Sequence, residues 1–328
     1  MAKSEQTTRF ADRDRPGYSG VKTFFGGDSV EPEELDGTVD VAAYGVPYDG
    51  AVTNKPGTRY GPEAVRTATN RYSRVFDSDK KRYSIATDRT ASYDGVTVRD
   101  CGDAPVTPNS TEETYESVVE YAETIATEAM PVMIGGDHYL TYPAFVGYAN
   151  AVEDDIGIIH LDAHEDIGSS DLYGEHYHGS PMSRIADTEY GGLENHAMVG
   201  IRGHSRMEVL DAIEEGLHIE YAKDVHEKGI EACIENAIEH ATDGVDHVYL
   251  TMDIDVVDPS YAPGTGTPAP GGITSNDLLR AADRLGECDA IGAVDLVEVL
   301  PTEDPAGTTS LVGANALSRF FESYFYEE

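Results

Sequence analysis

Basic residues are scarce in this chain. Its 328 residues include 23 lysines and arginines against 61 aspartates and glutamates, which gives a formal net charge of −38 at pH 7. A chain of this sign repels phosphate backbones and anionic lipids, so nucleic acid and anionic membranes are not expected as partners. The acids are dispersed along the whole chain. This dispersion favours a whole-surface adaptation to very high salt over one acidic docking face, and it predicts a halophilic protein.

Cysteines and long apolar runs are also scarce. The three cysteines, Cys101, Cys233 and Cys288, are odd in number and far apart, which argues against a disulfide framework and for a reducing compartment. No uncharged apolar run reaches about 18 residues, so no transmembrane helix is predicted. The N-terminus lacks the apolar core of a secretory signal. We therefore expect a cytoplasmic location.

The remaining pattern indicates one large α/β domain. Residues 1–38 are polar, contain few core candidates and form a predicted N-terminal extension, whereas residues 39–328 form a predicted single domain. In that domain, continuous apolar runs alternate with amphipathic segments. This alternation predicts a three-layer sandwich, in which helices cover both faces of a mostly parallel sheet. The polar stretch 76–108 is consistent with short strands and also with an excursion from the domain, and the sequence does not distinguish the two.

Two helix starts can be placed from short patterns. Ser110 and Glu113 stand in a Ser-x-x-Glu pattern, and so do Ser205 and Glu208. In a capping box of this kind, the serine hydroxyl accepts a hydrogen bond from the backbone of the first helical turn. We therefore predict that Ser110 and Ser205 each cap a helix.

Charged residues gather where three apolar runs end. The run PVMI ends in Gly-Gly-Asp-His138, IGIIH is followed by Asp162, His164 and Asp166, and VYLTM is followed by Asp253 and Asp255. In open α/β sheets the site lies at the carboxyl ends of the strands. Alternate residues of an extended chain point to one side. The Asp-x-His-x-Asp side chains are therefore expected to converge, with Glu165 facing away.

These motifs together supply two imidazoles and four carboxylates: His138, Asp162, His164, Asp166, Asp253 and Asp255. Six such ligands are too many for one ion but suit two divalent ions bridged by a carboxylate. Oxygen-rich ligation with imidazole favours Mn²⁺ over zinc. Two metals about 3.5–4 Å apart lower the pKa of a bound water and provide hydroxide at neutral pH. The set therefore predicts a hydrolase.

Two further residues could complete the site. His178, in the loop YHGSPMS, could move protons, although its neighbour His176 competes for that role and a surface position is equally consistent. Glu298 closes the apolar run VDLV. Its carboxylate could bind a cation or could merely cap the strand.

The order of these motifs resembles the ureohydrolase family, which includes arginases and agmatinases. GGDH, DAHED, HGSPMSR, MDIDVVDPSYAPGTGTPAPGG, DLVEV and GTTSLVGANAL stand in the family's order, and NKPGTRYGPEAVR resembles its early loop and helix. The resemblance implies an arginase-like fold and two Mn²⁺ per chain, held by the six residues named above. It also implies that metal-bound hydroxide attacks a guanidinium carbon, with urea and an amine as products. By the same resemblance, Asp166 orients the hydroxide, His178 shuttles protons and Glu298 holds the guanidinium.

The loop from Ile167 to Tyr177 bears on the substrate. It has the length and the Tyr-Gly-Glu feature of agmatinases, and it lacks the asparagine- and serine-rich pattern of arginases. The resemblance is thus closest to the agmatinase branch, which implies agmatine as substrate and a place in polyamine metabolism. 4-Guanidinobutyrate and guanidine itself stay open as alternatives. The family also implies a homo-oligomer, a trimer or a hexamer.

Three other functions compete with this one. A catalytically silent, metal-binding partner subunit would not need the intact ligand set, His178 and Glu298. A metal deacetylase would use one zinc ion with fewer protein ligands. An acidic mimic of nucleic acid would explain the charge but not the ligand clusters.

Overall fold

A nine-stranded sheet forms the middle layer of the protein. The computed structural model describes residues 19–70, 82–91, 96–168, 172–205 and 207–326. The described strands are β1 (Asp28–Ser29), β2 (Val41–Gly45), β3 (Arg82–Ser84), β4 (Arg89–Ala91), β5 (Val98–Asp103), β6 (Met130–Ile134), β7 (Ile156–Leu161), β8 (His196–Ile201), β9 (His218–Tyr221), β10 (His247–Asp253) and β11 (Ile291–Val297). The order in the sheet is β1-β5-β2-β6-β11-β10-β7-β8-β9. All these neighbours pair in parallel, while β3 and β4 form a separate antiparallel pair.

Helices cover both faces of this sheet. The described helices are α1 (Gly61–Thr69), α2 (Thr111–Ala126), α3 (Thr141–Val152), α4 (Pro181–Ala186), α5 (Glu208–Glu214), α6 (Ala222–Lys228), α7 (Ile230–Ala241), α8 (Ser275–Leu285) and α9 (Thr308–Tyr324). Buried side chains of α1 and α6–α9 share one apolar core with the sheet. Those of α2–α5 share a second core on the other face.

The central strands are apolar on both sides because both faces are covered. In β7, Ile159 and Leu161 lie in the first core, whereas Ile156 and Ile158 lie in the second. The residues of β7 are all buried. A run without polar alternation is what a doubly covered parallel strand requires. The predicted three-layer α/β fold is confirmed.

The segment before Val39 contains more of the core than its sequence suggests. Phe24 and Phe25 are buried, and each packs edge-on against Phe321 of α9. Asp28 and Ser29 then pair with β5 at the edge of the sheet. Residues 19–38 therefore supply a few core side chains and an edge strand to the domain. Residues 1–18 lie outside the described residues, and the boundary at residue 38 stays a prediction.

The two predicted helix starts differ in outcome. Ser110 caps α2, because its hydroxyl accepts the backbone N–H of Glu113. The prediction for Ser205 is wrong, because α5 begins at Glu208 and Met207 occupies its N-cap. Within the polar stretch 76–108, short strands are confirmed, and β5 belongs to the main sheet. Within the described ranges, no helix has the length and apolar character that a membrane span would need.

Candidate metal centre and active site

Four neighbouring strands of the sheet place the predicted site residues. β6, β11, β10 and β7 lie side by side. His138 follows β6, Glu298 follows β11, Asp253 ends β10 and Asp162 follows β7. The carboxyl ends of parallel strands meet at one edge of a sheet, where ligands bind in open α/β folds. Residues more than 100 positions apart therefore meet at a single place.

The glycine pair before Asp137 allows a close approach of backbone. A Cβ atom on Gly136 would lie 1.7 Å from the carbonyl oxygen of Tyr48, so no other residue fits without a backbone shift. The carbonyl of Gly136 accepts the N–H of Glu298 at 2.9 Å, and Asp137 Oδ2 accepts the N–H of Ala51 at 2.9 Å. This turn joins the loops after β2, β6 and β11, and so fixes the start of His138.

His138 faces three carboxylates. Its Nδ1 lies 3.0 Å from Asp162 Oδ2, 2.9 Å from Asp166 Oδ2 and 3.4 Å from Asp253 Oδ2. The atom is buried, and no atom of the described residues forms a properly aligned hydrogen bond with it. One imidazole nitrogen and three carboxylate oxygens that surround a common point, without hydrogen-bond alignment, match the donor set of a divalent cation.

His164 faces a second group of carboxylates. Its Nδ1 lies 3.1 Å from Asp255 Oδ2 and 3.4 Å from Asp162 Oδ1. Asp162, His164 and Asp255 have ligand atoms close enough to hold one ion. Asp162 thus directs one oxygen to the His138 group and the other to the His164 group. This is the arrangement that a carboxylate bridge between two ions would need.

The buried acids also favour a cation. Burial, together with the neighbouring charges of Asp255 and Asp162, raises the pKa of Asp253 well above its usual value. Burial and the charge of Asp162 likewise raise the pKa of Asp255. Burial acts to raise the pKa of Asp162 as well, but interactions with three neighbouring imidazoles outweigh it and hold that pKa well below its usual value: those of His138, His160 and His164. The charges of Asp253 and Asp255 stay destabilised, and burying such charges is costly. The donor set therefore fits divalent metal, which would offset this repulsion.

Loop geometry, rather than strand alternation, brings these ligands together. β7 ends at Leu161 and β10 ends at Asp253, so most of the ligands lie beyond the extended chain. Asp166 adopts a left-handed conformation with φ of 50°. Glu165, expected to face away from the cluster, lines the same cavity as His164 and Asp166. Asp162, His164 and Asp166 converge as predicted, but the loop conformation after β7 brings them together, and not the alternation of an extended strand.

His178 and Glu298 form a buried pair beside this cluster. His178 Nδ1 lies 3.0 Å from Glu298 Oε1, which also accepts the backbone N–H of His138 at 3.1 Å. Burial acts to lower the pKa of His178, but the hydrogen bond and charge of Glu298 outweigh it and raise the pKa to about 9. His176 instead contacts Tyr139, whose hydroxyl lies 3.1 Å from its Nδ1.

Glu298 keeps one carboxylate oxygen free. Its Oε2 is buried and has no hydrogen-bond partner among the described residues. Like Asp166, Glu298 holds a positive φ, here 60°. Such strain persists only where the surroundings enforce it, and it is common at functional sites. An unpaired buried carboxylate oxygen is suited to accept N–H groups from a planar cation.

A cavity of about 260 Å³ opens next to these residues. Its described lining includes Asp166, Asp253 and His178, with the acids Glu165 and Glu208 as further carboxylates. Glu298 is buried behind His178 and is not itself a lining residue. Lysine and arginine are absent from the described part of this lining. Residues 169–171 of the predicted substrate loop lie outside the described residues. The cavity suits a small, positively charged molecule.

Three buried polar residues behind the cluster were not predicted. His160 Nε2 lies 2.8 Å from Asp162 Oδ2, and Asp295 accepts a hydrogen bond from Thr251, which in turn contacts His138. A polar residue inside an otherwise apolar strand was the available signal, in β7 for His160 and in β11 for Asp295. Such a residue needs a buried partner, and the site supplies it.

Comparison with known proteins agrees with this geometry. A sequence profile described as the arginase family matches residues 39–322. The chain is 34% identical to a guanidinopropionase of Pseudomonas aeruginosa, over 92% of this chain and 91% of that protein. It is also 34% identical to an agmatinase of Chromobacterium violaceum, over 91% of this chain and 87% of that protein.

Solved structures show the same likeness. Proclavaminate amidinohydrolase from Streptomyces clavuligerus superposes with a TM-score of 0.82 and 29% identity, covering 94% of this chain and 99% of that one. The sequence resemblance to ureohydrolases is thereby confirmed. With a profile match across most of its length and relatives above 30% identity, the chain belongs to the arginase family, whose members are hydrolases of amidine C–N bonds.

Proposed function

We propose that this protein is a binuclear manganese amidinohydrolase that converts agmatine, or a close relative, to urea and an amine. The observation that carries the proposal is the arrangement of His138, Asp162 and His164, in which one buried aspartate serves two imidazole–carboxylate groups. His138, Asp162, Asp166 and Asp253 would hold one Mn²⁺, and Asp162, His164 and Asp255 the other. The two ions, when bound, would supply hydroxide at neutral pH.

The other residues would position the substrate and move protons. The free Oε2 of Glu298 would accept guanidinium N–H groups and hold the planar group above the metal-binding residues. Asp166 lines the cavity and would orient the nucleophile and accept its proton. His178, whose pKa is raised to about 9, would be largely protonated at neutral pH and would donate to the departing amine.

Charge favours a substrate with a cationic tail. Besides the metal-binding residues, the described lining contains the carboxylates of Glu165 and Glu208. They would attract the ammonium tail of agmatine and repel the carboxylate of 4-guanidinobutyrate. The chain is equally similar to an agmatinase and to a guanidinopropionase. Guanidino acids are therefore the competing substrates with which agmatine must be compared.

The test is urea release by manganese-loaded protein in molar KCl, with agmatine, 4-guanidinobutyrate, 3-guanidinopropionate, arginine and guanidine compared side by side. We expect the highest kcat/KM for agmatine. A guanidino acid as best substrate would overturn the argument from charge. No urea from any of them, with two metals bound per chain, would support the silent-subunit alternative.

Variants separate the two neighbouring histidines. We expect His178→Asn to lower kcat by about 10²–10⁴-fold, the usual contribution of a positioned general acid or base. The matched control is His176→Asn, which removes a histidine that contacts Tyr139, and it should retain most of the activity. Asp166→Asn and His138→Ala should abolish turnover. Equal losses in the two histidine variants would contradict the role proposed for His178.

A homo-oligomer in the cytoplasm completes the proposal. Several large apolar side chains are at least half exposed: Met207 just before α5, Leu210 within α5, and Leu172 in the predicted substrate loop. Such residues are typical of subunit interfaces. All three cysteines are free, as a reducing compartment would maintain them. Sedimentation velocity in molar KCl measures the oligomer directly, with a trimer or a hexamer expected.

A further inference from the structure

A buried hydrogen-bond chain runs from the candidate metal centre into the sheet. His138 Nε2 lies 3.1 Å from the hydroxyl oxygen of Thr251 on β10. That hydroxyl donates to Asp295 Oδ1 on β11 at 2.7 Å. All three residues are fully buried. The chain therefore excludes water and joins a predicted metal ligand to a carboxylate that belongs to neither metal group.

The direction of the hydrogen bonds along this chain is fixed by the acceptor at its end. Asp295 receives three hydroxyl donors, with Thr251 on Oδ1 and both Thr141 and Tyr249 on Oδ2, at 2.7–2.9 Å. Each hydroxyl has a single hydrogen. Because the hydrogen of Thr251 points to Asp295, its oxygen can only accept from His138. His138 must therefore carry its hydrogen on Nε2.

In the neutral ring, the form that can bind a metal ion, this tautomer leaves a lone pair on His138 Nδ1. That atom faces oxygens of Asp162, Asp166 and Asp253 within 3.4 Å. A lone pair directed at three carboxylates is unfavourable unless a cation lies between them. Metal-binding histidines commonly donate their other N–H to a partner that fixes the tautomer and the ring orientation. Here that partner is a threonine, which is itself oriented by a buried acid.

We propose that Thr251 and Asp295 are positioning residues that hold His138 in its metal-binding tautomer, and that they set the affinity of the His138 metal group selectively. The proposal rests on the proposed function only for the presence of two metals. The His164 group lies outside this chain, since its imidazole contacts Asp162 and Asp255. Loss of the chain should therefore weaken one of the two ions.

The test is a Mn²⁺ titration of the metal-free protein, with free Mn²⁺ followed by its electron paramagnetic resonance signal. We expect two ions per chain in the wild type. In Thr251→Val, one of them should bind roughly 10–100-fold more weakly, the usual effect of losing such a partner, while the other keeps its affinity. Thr251→Ser retains the hydroxyl and should restore binding.

A second variant tests the direction of the hydrogen bonds. In Asp295→Asn, the amide oxygen should face the Thr141 and Tyr249 hydroxyls, which turns the amide N–H toward Thr251. The threonine hydrogen would then point to His138 and favour the wrong tautomer. We expect a loss of affinity at the same ion, at least as large as in Thr251→Val.

Matched controls come from the same buried cluster. Tyr249→Phe removes a donor from Asp295 and leaves the surroundings of Thr251 unchanged. Thr141→Val also removes a donor, together with a 3.3 Å contact to the Thr251 hydroxyl, but leaves the Thr251–His138 contact in place. Both should lower the unfolding free energy of the metal-free protein without a selective loss of one ion. The proposal is overturned if these controls weaken Mn²⁺ as much as Thr251→Val does. It is also overturned if Thr251→Val binds both ions normally, or if the wild type binds no Mn²⁺.

The titration does not depend on substrate. A protein that releases no urea but shows the selective loss of one ion would refute the proposed function and support the positioning role. If the wild type hydrolyses agmatine but the Thr251→Val variant binds both ions normally, the proposed function is supported and the positioning role is refuted.

Discussion

At the scale of single residues, Thr53 is matched to both protonation states of His178. Its backbone N–H donates to His178 Nε2 at 3.1 Å, which suits the neutral ring. Its hydroxyl oxygen lies 2.7 Å from the same nitrogen and can accept an N–H from the protonated ring. The proton-shuttle role proposed for His178 would need a partner in each protonation state, and Thr53 provides both.

This arrangement predicts a pH-dependent contribution to stability. The pKa of His178 is raised from 6.5 to about 9 in the folded protein. The resulting stabilisation is fully present below about pH 6.5, decreases as the pH rises, and is lost above about pH 9. Thr53→Val removes the acceptor of the charged ring and should lower this pKa, whereas Thr53→Ser keeps it. We expect the serine variant to have the higher unfolding free energy at pH 6, and the difference to shrink by pH 10.

Chemical denaturation of both variants at the two pH values measures this difference. The comparison of valine with serine leaves the backbone N–H of Thr53 in place in each protein. A difference that is the same at pH 6 and pH 10 would mean that the hydroxyl acts through packing and not through the charge of His178.

At the scale of elements, the sequence predicts what is periodic and misses what depends on distant partners. β7 and α2 were predicted because a continuous apolar run and a spacing of three and four residues are local properties. The edge strand β1 has only two residues, both exposed, and exists because β5 lies beside it. Likewise the candidate metal ligands could be recognised by type and order, but the partners of His138 could not, because Thr251 and Asp295 lie on other strands.

A buried ion pair ties α1 to β5 and predicts a large loss on mutation. Arg66 Nε and Nη2 donate to the two oxygens of Asp100 at 2.8 and 3.1 Å, and Asp100 also accepts the N–H of Phe24. Breaking a buried pair leaves an uncompensated charge and costs about 3–5 kcal/mol. Arg66 also pairs with the half-exposed Asp103. Asp100→Ala therefore leaves Arg66 one carboxylate and should lower the unfolding free energy by an amount near the lower end of that range, as measured by denaturant titration.

The matched control is a pair of the same type in which the acid is exposed. Arg184 and Asp187 are 3.1 Å apart on the surface at the end of α4, and exposed pairs contribute about 0–1 kcal/mol. Asp187→Ala should therefore change the stability little. Similar losses in both variants would show that Asp100 contributes no more than a surface acid.

At the scale of the whole molecule, the acidic surface is related to the solvent, and only a few acids belong to the candidate site. The net charge of −38 means that at least 38 carboxylates have no basic residue of their own. The candidate site needs only a few of these acids. The remainder oppose folding by mutual repulsion at low ionic strength. We therefore propose that the composition reflects high-salt surroundings, while the strand ends determine the chemistry.

This proposal predicts a steep dependence of stability on salt. The Debye length falls from about 10 Å at 0.1 M to about 3 Å at 1 M, so KCl should raise the unfolding free energy strongly over that range as repulsion is screened. Sucrose at matched osmolality stabilises through exclusion from the surface and not through screening, so it should not reproduce the rise. If stability were flat in KCl, or followed sucrose equally, the acidic surface would have to be explained by a partner, because self-repulsion would then not be limiting the fold.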